Sequence, residues 1–163
     1  MTKSLQGHLL VASPQERDPD FVKAVILLIQ HSADQAVGVV LNRPTATTIE
    51  QLWSSAMKKR CPCRQPVNAG GPVPGPLMAV HTCQPLAEIE ILPSLYYAVQ
   101  KKNLDKLVRQ TDHRFKVFDS HAGWGPGQLE AQIEAGAWLT VPATIEHVFG
   151  RVKDLWDDLA PAA

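Results

Sequence analysis

The residues of this 163-residue chain that could do chemistry are concentrated in His121-Ala-Gly-Trp-Gly-Pro-Gly-Gln-Leu-Glu130, with Gly136-Ala-Trp-Leu139 close behind. Two of the chain's 4 tryptophans, Trp124 and Trp138, lie there. Trp124 is a large amphipathic ring among backbone-flexible residues. Such a composition suits a surface turn that offers a rigid aromatic and backbone N–H groups to a ligand or partner. Pro126 suits a first helical position, which puts Gln128 and Glu130 in a first turn. A carboxylate there gains on the order of 0.3–1 kcal/mol from the helix dipole. Glu130 and Glu134 are four apart, where like charges repel and a cationic partner would relieve them. General acid–base work by that pair is disfavoured, because such pairs usually come from separate elements.

Asn42-Arg43-Pro44 follows an apolar run. Pro44 pushes Arg43 into an extended conformation. Arg43 then has two readings: bidentate capture of a carboxylate or phosphate with Asn42 assisting, or a structural tie to Glu130 or Glu134. The structural tie is preferred. Gly70-Gly71-Pro72 is either a backbone cradle for an anion or a tight crossover turn. No lysine stands at P-loop spacing, which favours the turn.

His31 and His81 each close a predicted strand and are candidates to meet His121 or His8. None shows the i, i+4 spacing of helical metal ligands, so structural histidines are expected. Cys61-x-Cys63 and His81-x-Cys83 together supply the ligand types of a Cys3His zinc site. The one-residue Cys-x-Cys gap is tighter than usual zinc spacing, so free thiols or a redox-sensitive Cys61–Cys63 pair are preferred, with no metal and no cofactor. No nucleophile elbow and no His-Glu-x-x-His occurs.

These residues need elements to hold them. Strands are predicted over Gly7 to Ala12, Val25 to His31, Val37 to Leu41, Leu77 to His81, Glu88 to Leu92, Phe115 to Phe118 and Trp138 to Val141. Asp18-Pro19-Asp20 opens a helical turn. Thr48-x-x-Gln51 has capping-box form ahead of a helix bearing Ile49, Leu52, Trp53 and Ala56 on one face. The prolines and glycines between Cys61 and Pro76 predict a long ordered loop. Ser94 is read as the cap of a helix through about Arg109. Phe115 to Phe118 is read as leading directly into the Gly/Trp turn. Gly136 stops the helix after Pro126. Thr144 caps a final helix whose apolar period runs from Ile145 to Leu159. Recurrent hairpins among helices predict an α+β fold with a mixed, largely antiparallel sheet, in one domain spanning 1–163.

Composition bounds the function. Lys plus Arg and Asp plus Glu are both 16, for a net charge of +0. A bulk pull toward nucleic acid or an anionic membrane is therefore not expected, although Lys58-Lys59-Arg60 with Arg64 is a local basic patch. Met1-Thr-Lys-Ser lacks a following apolar stretch of signal-peptide length, and the run Ala24 to Ile29 is too short to span a bilayer. With an odd number of cysteines, 3 in all, the expectation is a reducing cytoplasmic setting.

The order of these segments resembles the bacterial YqgE/AlgH family. The pieces are His8-Leu-Leu-Val-Ala-Ser-Pro14, Asp18-Pro19-x-Phe21, Gly38-Val-Val-Leu-Asn-Arg-Pro44, Gly70-Gly71-Pro72-Val73, a strand closing on His81, Ala122-Gly-Trp124, Pro126-Gly-Gln-Leu-Glu130, Glu134, Trp138-Leu139 and Pro142. The resemblance implies a bifurcated sheet, part of it curled into a small barrel, surrounded by helices. It also implies a candidate transcriptional regulator, one member being linked to exopolysaccharide production, and carries over no catalytic residues. Where the family has a glycine and an aromatic before Ala-Gly-Trp, this chain has Ser120 and His121. That predicts strain or a shifted turn at Ser120 if the glycine takes φ > 0. The expected function is a non-enzymatic regulatory protein that binds an unknown protein or small molecule, with no direct nucleic-acid or membrane contact, as a monomer or weak homo-oligomer. The expected site is a groove of Asn42, Arg43, Gly70, Gly71, His81, Trp124, Gln128, Glu130 and Trp138. The alternative is a small-molecule hydrolase using the same groove.

Overall fold

A computed structural model describes residues 4–160. Ten strands run in the order β1 (His8–Ala12), β2 (Val25–His31), β3 (Ala36–Val40), β4 (Pro44–Thr48), β5 (Pro66–Asn68), β6 (Val73–His81), β7 (Ile89–Leu92), β8 (Leu95–Ala98), β9 (Phe115–Trp124) and β10 (Trp138–Pro142). The helices are α1 (Ile49–Leu52), continued by a π turn over Trp53–Met57, then α2 (Lys101–Arg109), α3 (Gln128–Glu134), α4 (Ile145–Phe149) and α5 (Leu155–Leu159). The fold is α+β with a mixed, largely antiparallel sheet. Its main path is β10-β1-β2-β3-β9-β6-β8-β7, and β4 and β5 branch from it, β5 pairing in parallel with β9. That branch is the bifurcation.

The path curls until its edge strand β7 nears the start of β1. Gln6 Nε2 donates to the carbonyls of Glu90 and Ile91 at 3.2 and 3.4 Å. Strand alternation assigns the two faces. Leu9, Val25, Leu27 and Ile29 turn inward against Met78, Val80, Leu95 and Phe118. Leu10, Ile26 and Leu28 turn outward under Trp124, Leu129 and Trp138. A third cluster lies between the sheet and α1, the π turn and α2, with Ile49, Trp53, Leu104, Phe115 and Val117. Strand β9 contributes to all three, and β2 is apolar on both faces because both are covered.

Several expectations are corrected. The Gly/Trp segment is not a turn up to Gly125: Ala122, Gly123 and Trp124 pair with Gly38, Val37 and Ala36 inside β9. The Cys61–Pro76 stretch contains β5 and the start of β6. Pro74 and Pro76 are tolerated because that half of β6 pairs only with β9, with a register shift between Pro74 and Met78. Ser94 does not cap a helix. At φ 71° it turns the tight hairpin that sets Leu92 opposite Leu95, and the helix begins at Lys101. The β propensity of Tyr96 and Tyr97 prevails there over the i, i+4 spacing of Leu95 and Val99. The final helix is two short ones. Thr144 forms its capping box with His147, but Gly150 leaves helical geometry at ψ −162° and breaks the run. The Thr48–Gln51 capping box forms as read.

Candidate functional site

Trp124 is only 5% exposed. Its position at the end of an interior strand aims the indole at α3, where Nε1 donates to Gln132 Oε1 at 3.0 Å. Trp138, at the start of β10, donates to the same oxygen at 2.9 Å. The rings meet edge to face, 6.4 Å apart at 84°, and Phe21 packs on Trp138 at 80°. Two indole donors thus converge on one side-chain carbonyl inside the outer cluster. Gln132 was invisible to motif reading. Its only signal was a place one turn past Gln128 on a short helix between two tryptophans.

The other sequence-chosen residues also serve local structure. Arg43 is a structural tie, but to a different place than predicted. Its guanidinium donates to the carbonyls of Asp20 and Val22 at 2.6 and 2.9 Å, not to Glu130 or Glu134. Asn42 accepts from Val25 N at 3.1 Å and donates to Lys23 O at 2.8 Å. The two side chains together clamp the Asp18–Ala24 turn, where Lys23 takes φ 54°. Gln128 Oε1 accepts from Gly125 N at 3.0 Å and so closes the turn before its own helix. Gly70 and Gly71 make a close backbone crossing with β9. A Cβ on either would overlap the backbone of Ser120 or His121 in β9. Gly71 N–H donates to Ser120 Oγ at 3.3 Å, and Ser120 in turn donates to Asp119 Oδ1. Ser120 therefore sits unstrained within β9, correcting the expectation drawn from its departure from the family pattern.

The histidines do not converge. His31 Nδ1 accepts from Leu5 N at 2.8 Å and Nε2 lies 3.0 Å from Glu130 Oε2. The backbone N–H fixes the tautomer with the proton on Nε2, which donates to the carboxylate. That bond holds the Glu130 carboxyl below its ordinary range. Both ring nitrogens are thereby engaged, and neither is free to accept a substrate proton. His81 is fully buried against Tyr96, with Nδ1 accepting from Cys83 N at 3.0 Å and Nε2 without a partner. Desolvation pushes its pKa down to about 4, so the ring is neutral. His8 and His121 each bury an unpartnered Nδ1.

The cysteines lie apart from a ligand geometry. Cys61 and Cys83 are buried in the third cluster and Cys63 packs at its margin. Cys61 Sγ faces Val108 O, and burial raises the Cys63 thiol. Among the described residues no group of three or more His, Cys, Asp or Glu converges as a metal site, which removes the geometric basis for Cys61, Cys63, His81 and Cys83 as a zinc centre.

Clefts lie around the π turn and α2. A cleft of about 550 Å³ is lined by Glu50, Ser54, Arg60, Cys61, Pro62 and Arg109. Another, of about 400 Å³, is lined by Ala56, Met57, Lys59, Lys101, Lys102, Asp105 and Lys106. Of the basic patch Lys58-Lys59-Arg60, Lys59 is here joined by lysines from α2, while Arg60 lines the first cleft. The fold does this by packing the π turn and α2 over one cluster. A further cation was missed: Lys116 on β9, half-buried at the inner rim with Nζ 3.5 Å from Leu41 O. Desolvation lowers its pKa to about 8. Its signal in sequence was a lysine in phase with Phe118 on the inward side.

A curled, bifurcated sheet whose chosen polar residues hold its own turns together defines an α+β scaffold with its accessible chemistry at the periphery. The chain belongs to the AlgH-like family, which its residues 9–162 match. It is 35% identical to a UPF0301 protein of Myxococcus xanthus over 95% of this chain and 88% of that one. A second UPF0301 protein, from Chlorobaculum tepidum, is 32% identical over 88% and 78%. Among solved structures it is similar to the AlgH protein of Pseudomonas aeruginosa, with TM-score 0.78, 25% identity and coverage of 97% and 87%. Protein DIP2367 of Corynebacterium diphtheriae matches with TM-score 0.77 at 25% identity, covering 98% and 86%.

Proposed function

We propose that this protein is a cytoplasmic, non-enzymatic regulatory module that acts by binding a partner or small ligand. One observation carries the reading. The side chains suited to catalysis or anion capture in the central scaffold are either bonded to the fold or, like the unpartnered ring nitrogens of His8, His81 and His121, sealed from solvent, whereas the lysines around α2 are exposed. Arg43, Asn42, Gln128, His31 and both indoles have internal partners. Among the described residues Lys59, Lys101, Lys102 and Lys106 form no ion pair. The binding site of this reading is therefore the α2 face, in place of a groove at Trp124.

With a net charge of +0, the protein has no general attraction to nucleic acid, and any effect on transcription runs through partners. Among the described residues no helix is long and apolar enough to cross a membrane. The protein works as a monomer or weak homo-oligomer, without cofactor.

The test pairs two assays on the whole chain. Native mass spectrometry at low salt is expected to find a non-covalent adduct that a K101E/K106E variant loses. Ester and phosphate hydrolysis panels are expected to show no turnover. Turnover abolished by His31→Gln would overturn the reading, as would micromolar, salt-dependent DNA affinity.

A further inference from the structure

Two clefts adjoin on the face built by the π turn and α2. The first, about 400 Å³, carries Lys59, Lys101, Lys102 and Lys106 against one carboxylate, Asp105. The second, about 230 Å³, is walled by Pro76, Leu77, Val99 and Leu104. Ala56, Met57 and Lys101 line both. A basic bowl thus lies beside an aliphatic slot, the two sharing these three residues.

The bowl's charge is only partly offset, by Asp105. Asp105 is turned to other duties: Oδ1 accepts from Trp53 Nε1 at 3.1 Å and Oδ2 from Arg109 Nε at 3.0 Å. Lys101 and Lys102 are also set against the helix they open. Helix α2 opens with Lys101 and Lys102, has no acid in its first turn, and receives no side-chain cap from Gln100. Cations at a helix N-terminus oppose the dipole, and the carboxylate that answers it comes from outside the helix: Glu88 Oε2 accepts from Gln100 N–H at 3.0 Å and from Asn103 Nδ2 at 3.1 Å. The wall of the bowl is a π turn closed by Lys58 in the left-handed region at φ 56°. π turns are rare and concentrate at functional sites, and left-handed lysine is uncommon. Two local rules are therefore broken beside one cavity, by the π turn and by the left-handed Lys58 that closes it, a pattern expected where a site outweighs local stability.

We infer that the double cleft binds a soluble, single-tailed phosphorylated amphiphile, its phosphate among the lysines and its aliphatic tail in the slot. This rests on the binding reading above and names the ligand class. The slot wall of Pro76, Leu77, Val99 and Leu104 has no hydrogen-bonding side chain, Lys101 standing at the edge shared with the bowl, so it suits an aliphatic tail better than a base or a sugar. At about 230 Å³ it holds one short tail and offers no surface for a bilayer.

The test is calorimetry of the whole protein at low salt with three probes: octyl phosphate below its micelle concentration, inorganic phosphate, and octyl glucoside. Octyl phosphate is expected to bind at least about tenfold tighter than either fragment, the factor that burial of roughly two methylenes supplies. Added salt should weaken it. Leu77→Trp, at a position that lines the slot and not the bowl, fills the slot and should bring octyl phosphate down to the inorganic phosphate level while leaving phosphate itself unchanged. K101E/K106E should abolish both. Should either variant fail to fold, amide shifts in the wild type decide: octyl phosphate should move Leu77 and Val99 as well as Lys101, and inorganic phosphate should leave Leu77 and Val99 in place while moving Lys101 and Lys102. Equal affinity for octyl phosphate and inorganic phosphate overturns the proposal, as do shifts confined to another face. Preference for phosphatidylglycerol vesicles over monomeric octyl phosphate overturns it in favour of a membrane surface. Those failures leave a K101E/K106E-sensitive adduct intact, whereas hydrolytic turnover sinks the binding reading itself.

Discussion

Trp124 and Trp138 donate to the same oxygen of Gln132 while packing edge to face. Their indoles are held by one acceptor supplied from α3, so the helix and the two strands are locked by a single side chain. Gln132→Ala should orphan two buried donors and cost roughly 1–3 kcal/mol for each. Chemical denaturation measures the loss, and tryptophan emission should shift to the red. Gln132→Glu keeps an acceptor and should recover much of the stability. A Gln132→Ala protein as stable as its parent would remove this account.

Arg43 and Asn42 hold the turn in which Lys23 is left-handed. Arg43→Ala frees two carbonyls and is expected to cost about 1–2 kcal/mol. Trypsin should then cut after Lys23 faster than in the parent. Arg43→Lys, lacking the planar fork, should rescue only partly.

Gly71 and Gly127 make opposite demands. A methyl at Gly71 has no room against the His121 backbone, so Gly71→Ala should be severe, on the order of 4 kcal/mol or more. Gly127 faces open space and is constrained only by φ 71°, so Gly127→Ala should cost about 1–2 kcal/mol. Thermal unfolding of the two variants separates steric from conformational need.

His81 makes the fold acid-sensitive. The unfolded chain protonates this ring near pH 6.5, while the folded protein resists until about pH 4. The unfolded state therefore binds more protons between those values, and stability falls as pH drops through that window. His81→Asn, which can still accept from Cys83 N–H, should flatten this part of the stability curve relative to the parent.

Lys116 acts at the alkaline end. Its folded pKa near 8 lies below the unfolded value near 10.5, so stability rises between those limits as the unfolded chain retains the proton longer. Below pH 8 the full desolvation cost is present. Lys116→Met should stabilise at pH 7, by an amount on the order of 1–3 kcal/mol, and the gain should shrink above pH 8. Urea titrations at pH 7 and pH 10 give the comparison.

The amino-acid order by itself determined what depends on neighbours along the chain. The capping box at Thr48, the stop at Gly136 and the alternating strands are local hydrogen-bonding and steric choices, and they stand where the residues placed them. So does the α+β class, which follows from how the periods alternate. Partners across the fold were beyond its reach. Whether Arg43 meets Glu130 or the carbonyls of Asp20 and Val22 depends on which loop the curl of the sheet brings near. Whether Trp124 faces water depends on β9 continuing past Phe118 to pair with β3, a register no local signal encodes. The gathering of Lys59 with Lys101, Lys102 and Lys106 likewise required two segments some forty residues apart to cover one cluster. Burial and charge density are sums over such distant neighbours, and only the tertiary structure could decide them.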